Sequence, residues 1–67
     1  MKLKDAIIQA IEKNNAGSVG RITDYIRFNL GFNYNQTYNL FNKLTGINKA
    51  DFDQLLYECD YYESANL

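Results

Sequence analysis

The sequence predicts an all-α fold, a compact bundle of three to four short helices forming one domain over residues 1–67. Three observations predict it. Apolar residues recur at spacings of three and four along most of the chain, as they do when one face of a helix is buried. Asn, Ser and Gly gather where those stripes break, and these are the residues that cap and end helices. No repeat, low-complexity tract or long linker interrupts the chain, and connections of roughly three to five residues are normal between neighbouring helices of a compact bundle.

Leu3, Ala6, Ile7, Ala10 and Ile11 form the first stripe, predicting helix 1 over about residues 2–13. It should stop in Asn14-Asn15-Ala16-Gly17, where Asn and Gly tolerate the left-handed conformation. Ser18 is the expected N-cap of helix 2, whose inward residues Val19, Ile22, Ile26 and Leu30 predict a span of about 19–29, closed by Gly31. Asn33 and Gln36 make a variant capping box that opens helix 3, about 34–44. Tyr34, Tyr38, Phe41 and Leu44 face inward there, helped by Leu40, and Gly46 supplies the stop. A second box, Asn48 with Asp51, precedes Phe52, Leu55, Leu56, Cys59 and Tyr62, predicting helix 4 over about 49–61. Tyr57 and Tyr61 alternate with Glu58 and Asp60, which keeps a strand over 54–62 open as the alternative.

At 67 residues the chain has room for one modest core, and its single cysteine, with no histidine beside it, forms neither an internal disulfide nor a zinc site. Cys59 therefore reads as a small core residue rather than a nucleophile. No carboxylate pair is clustered with bases or Gly-rich loops, so the expectation is that this is not an enzyme and takes no cofactor, metal or small molecule. Apolar runs such as Ala6–Ile8 are far too short to span a membrane, and Lys2-Leu3-Lys4-Asp5 breaks the pattern of a secretory signal. The expected location is cytoplasmic, where Asn35-Gln36-Thr37 would not be glycosylated. Nine Asn with no Pro or Trp fit an AT-rich coding sequence, as in some phages and low-GC bacteria.

The net charge of −1 conceals an asymmetry: residues 1–50 hold seven bases and three acids, whereas residues 51–67 hold five acids and no base. With Tyr34, Tyr38 and Phe41 inward, the opposite face of helix 3 carries Asn35, Gln36, Asn39, Asn42 and Lys43. Asn and Gln offer a donor and an acceptor side by side, matching the N6 and N7 edge of adenine in the major groove. Lys43, Arg21, Arg27, Lys13 and Lys49 are candidates to neutralise phosphates. Two helices of similar length joined by a tight turn at Gly31-Phe32-Asn33 form the supersecondary unit that sets its second helix in the major groove, so the predicted bundle contains a helix-turn-helix. The bland alternative for the same face is solvated surface.

Ile22 to Leu44, ending in Thr37-Tyr38-Asn39-Leu40-Phe41-Asn42-Lys43-Leu44, resembles the second and recognition helices of winged-helix transcription regulators. The likeness spans residues 18–46 at its widest. A basic β-hairpin wing would follow in that family, but Ile47-Asn48-Lys49-Ala50-Asp51 and an acidic segment stand in its place. Leu30-Gly31-Phe32 with Tyr38 is also similar to the second helix-turn-helix of AraC-type regulators, although Phe41 falls one residue early for that pattern. Either resemblance implies that helix 3 reads bases while helices 1 and 2 approach the DNA backbone, most simply in a homodimer on two half-sites. The rival reading is a small phage-type adaptor or inhibitor that binds another protein through Tyr57, Asp60, Tyr61 and Tyr62 of the acidic fourth helix.

Overall fold

A computed structural model describes the backbone of residues 2–65 and the side chains of residues 2–59. It contains four helices: α1 (Leu3–Glu12), α2 (Ala16–Tyr25, continuing as a π-helical turn over Ile26–Leu30), α3 (Tyr34–Thr45) and α4 (Lys49–Ala65). The strand alternative for residues 54–62 is not taken. Phe52, Leu55 and Cys59, spaced by three and four, are all buried, and helical periodicity prevails over the local alternation.

The link between α1 and α2 is shorter than the sequence suggests. Asn14 takes the left-handed conformation at φ 50°, and the N–H groups of Asn14 and Asn15 close back onto the carbonyls of Ile11 and Ala10, both at 3.0 Å. This is the Schellman closure of a helix C-terminus. Asn15 then opens the next helix, its Oδ1 accepting the Ser18 N–H at 3.1 Å. The N-cap of α2 is therefore Asn15 and not Ser18, and the helix starts at Ala16, three residues earlier than predicted. Asn15 precedes Ser18 in the chain and caps as well as Ser does, so the first competent cap after α1 wins. Asn15→Ala should lower stability by about 1 kcal/mol, and Ser18→Ala by far less, in paired urea titrations followed by circular dichroism.

The far end of α2 also departs from expectation. Asn29 Nδ2 donates to the Tyr25 carbonyl at 3.0 Å, occupying the acceptor that the Asn29 N–H would use in an α-helix. The turn widens to π spacing and advances less per residue, so Leu30 swings out of the apolar stripe and stands 48% exposed. Gly31, left-handed at φ 71°, ends the helix as predicted.

α3 opens with the predicted capping box: Asn33 Oδ1 accepts the Gln36 N–H, and Gln36 Oε1 accepts the Asn33 N–H, both at 2.9 Å. At the start of α4 only half of the second box forms as predicted. Asn48 Oδ1 accepts the Asp51 N–H at 2.8 Å, while Asp51 Oδ2 accepts from the Asn48 side-chain amide at 3.2 Å and not from its backbone.

The core gathers Ile7 and Ala10 of α1, Val19 of α2, Ile26 of the π turn, Phe41 of α3 and Phe52, Leu55 and Cys59 of α4. α1 packs on both α2 and α3, and α2 packs most extensively on α4. Phe52 is the hub of the aromatic packing, with ring centroids of Phe41, Tyr38 and Tyr34 at 4.9, 5.7 and 5.9 Å. Two placements on α3 differ from the predicted stripe. Thr37 is buried, made possible because its hydroxyl donates to the Asn33 carbonyl at 2.9 Å. Tyr34 is 40% exposed; as the first residue of α3 it lies along the seam with α4 instead of in the core.

Candidate nucleic-acid interface

Turning Thr37 and Phe41 inward fixes the opposite side of α3, because residues three and four apart share a helical face. Asn35, Gln36, Asn39, Asn42 and Lys43 are all exposed on that side, as the periodicity predicts. They differ in what the fold asks of them. Gln36 spends its carbonyl oxygen on the capping box. Asn42 Nδ2 donates to the Ile47 carbonyl at 2.9 Å, and Thr45 Oγ1 accepts the Ile47 N–H at 3.2 Å, so both side chains clasp the turn into α4. Asn35, Asn39 and Lys43 make no hydrogen bond or ion pair among the described residues. Successive members of that trio are four residues apart, and they form the unengaged centre of the face.

Cations stand at both ends of α3. Lys43 lies in its last turn. At the other end Lys49 places its ammonium 5.7 Å from the centroid of the Tyr34 ring. Arg27, on the π turn, shares with Asn33 and Tyr34 a cleft of about 470 Å³ whose floor includes Gly20, Phe52 and Cys59. The Arg27 guanidinium lies 5.5 Å from the Phe28 centroid. The Thr23 hydroxyl also lines this cleft; its oxygen is buried and meets no hydrogen-bond partner among the described residues. Arg21 is not brought to this site. It borders grooves on the other flank of α2 with Ala6, Gln9, Lys13 and Tyr25.

Several features of this region escape sequence reasoning. The Tyr34 hydroxyl donates to Asp53 Oδ1, tying the first turn of α3 to α4. Loss of hydration, then that hydrogen bond and the negative charge of Asp53, push the Tyr34 phenol up to about 12. A carboxylate and a lysine thus sit side by side at the N-terminal end of the face. The exposed aromatics Tyr25 and Phe28, at 52% and 76%, also went unassigned; their one signal was that Tyr25 and Phe28 fall off the Val19, Ile22, Ile26 stripe. α2 and α3, which flank the Gly31–Asn33 turn, share few close backbone approaches.

On α4, Tyr57 is 67% exposed. Asp60, Tyr61 and Tyr62, the rest of the predicted protein-binding set, have side chains outside the described residues. Among the described residues no three His, Cys, Asp or Glu side chains come together as a metal site, and no helix is long and apolar enough to cross a membrane. A scan against protein-family models, a search of curated proteins and a search of solved structures each found no match to this chain.

Proposed function

We propose that this protein is a small DNA-binding transcriptional regulator that sets α3 into the major groove in the manner of a helix-turn-helix. The observation that carries the reading is the exposed, unengaged trio Asn35, Asn39 and Lys43 on a helix flanked by further cations. Asn is a mediocre helix former on an exposed face, so local stability does not account for Asn35 and Asn39. From Asn35 to Lys43 the face runs about 12 Å, matching three to four base-pair steps. Asn35 and Asn39 would pair with adenine edges, with Gln36 and Asn42 contributing the amide atoms that capping leaves over. Lys43, Arg27 and Lys49 would meet phosphates.

Asn39→Ala is expected to weaken binding to an adenine-containing duplex by about 1–3 kcal/mol and to relax sequence preference. Arg27→Ala should weaken binding to all duplexes alike and reduce the salt slope by about 1. Fluorescence anisotropy with labelled duplexes reads both, and an Asn39→Ala protein that binds as the unaltered chain does would remove α3 from the reading role.

A second reading, a protein-binding adaptor or inhibitor acting through α4, is favoured by one observation, the two-thirds exposure of Tyr57. Tyr57→Ala leaves duplex binding unchanged under the first reading and abolishes partner binding under the second.

A further inference from the structure

The outward face of α2 carries, in order, Gly17, Arg21, Asp24, Tyr25 and Phe28, spaced as one stripe and all exposed. Among the described residues that stripe meets few partners, the Arg27 guanidinium beside the Phe28 ring being one. Phe28 is 76% exposed, the most exposed large hydrophobic among the described residues. Arg21 and Asp24 are opposite charges three residues apart on one helix, yet neither forms an ion pair among the described residues. Gly17 sits in the first turn of α2, where glycine costs helix stability relative to alanine. Among the described residues a Cβ there would meet only Asn15 Oδ1, at 3.5 Å, so none of them excludes a side chain.

We infer that this stripe is the contact face of a homodimer in which α2 packs antiparallel on α2 of a second copy. The positions are self-complementary about a twofold axis passing between Ile22 and Thr23. At that centre Arg21 stands level with Asp24 of the second copy, and Gly17 level with its Phe28; the twofold repeats both contacts. The unpaired charges become two reciprocal ion pairs. The exposed ring of Phe28 enters the notch left by the missing side chain of Gly17, which lets the helices approach closely. From Gly17 to Phe28 the contact runs about 16 Å along the helix. Tyr25, 52% exposed, flanks it with large contact area at low entropic cost. No charge on the stripe is left facing its own kind, which fits a second copy better than an unrelated partner. None of the α3 polar residues belongs to this face, and of the proposed phosphate contacts only Arg27, against the Phe28 ring, borders it.

One helix pair with its flanking rings lies near the lower limit of specific interfaces, about 1,200 Å² in total, so the dimer should be concentration-dependent. Sedimentation equilibrium of the protein without DNA, from about 5 to 500 µM, reads it directly. The expected result is a monomer–dimer equilibrium for the unaltered chain. Arg21→Asp and Asp24→Arg, each of which sets like charges against each other, should shift it to monomer, and the double variant should restore the dimer by exchanging the pair. Gly17→Leu should also give monomer while keeping or raising helix content in circular dichroism. A chain that remains monomeric at the highest concentration overturns the inference, as does a dimer that the single charge reversals leave intact.

Discussion

Replacing Phe52 with alanine is expected to remove from about a third to all of the protein's stability. Phe52 is fully buried and is in ring contact with Tyr34, Tyr38 and Phe41, so one substitution strips three α3 residues of their partner on α4. Phe→Ala in a core costs about 3–5 kcal/mol, through lost transfer energy and the cavity left behind. A 67-residue domain has a total stability of roughly 3–10 kcal/mol at typical per-residue values, so the loss takes at least about a third of it. Urea titration by circular dichroism should show the midpoint falling in the same proportion. Phe28→Ala, also a lost phenyl ring, should leave the midpoint of the dilute monomer almost unmoved, since that ring is largely in solvent. Equal effects of the two would contradict the placement of the core.

Gly20→Ala is expected to destabilise the chain although alanine is the better helix former by about 1 kcal/mol. Gly20 is where α2 crosses α4: a Cβ built on it would lie 2.0 Å from Cys59 Sγ and 3.0 Å from Cys59 Cβ. The sulfur can turn aside, but the Cβ moves only with the α4 backbone, so the helices must separate. Overpacking of this kind costs about 1–3 kcal/mol, occasionally more, which outweighs the propensity gain at all but the lowest end of that range. Gly20→Val should cost more again. In a double-mutant cycle Cys59→Ala should recover part of the loss, removing the nearer clash and leaving the Cβ contact. Additive effects of the two substitutions would place the collision elsewhere.

The fold was legible wherever one helical stripe governs a segment. Ile7 and Ala10, Val19 and Ile26, Phe41, Phe52 and Leu55 are buried as their spacing predicts. Sequence reasoning failed where local hydrogen bonding chose between near-equivalent options. Asn15 out-competes Ser18 as a cap because it comes first, and Asn29 widens a turn by reaching back to the Tyr25 carbonyl, which turns Leu30 outward. Gly20 reads as an unremarkable helical glycine until the position of Cys59 is known, because a close crossing is a property of two segments at once.

The polar face of α3 was legible because placing Phe41 inside dictates what lies outside. Which of its residues the fold employs was half legible: the Asn33 and Gln36 spacing announces the cap, whereas the bond from Asn42 to Ile47 depends on how the next turn closes. Arg21 and Arg27 look equivalent in the sequence, and the structure sets them on opposite flanks of α2.

The most direct test of the account is the salt dependence of duplex binding, measured by fluorescence anisotropy on AT-rich and GC-rich duplexes. With Arg27, Lys43 and Lys49 on phosphates, affinity per protomer should fall with a log–log slope of about −2.7, or roughly 40-fold between about 50 and 200 mM salt. The AT-rich duplex should bind more tightly at both concentrations, as amide side chains paired with adenine require. Absence of binding to either duplex at the lower salt concentration would contradict a DNA-reading α3.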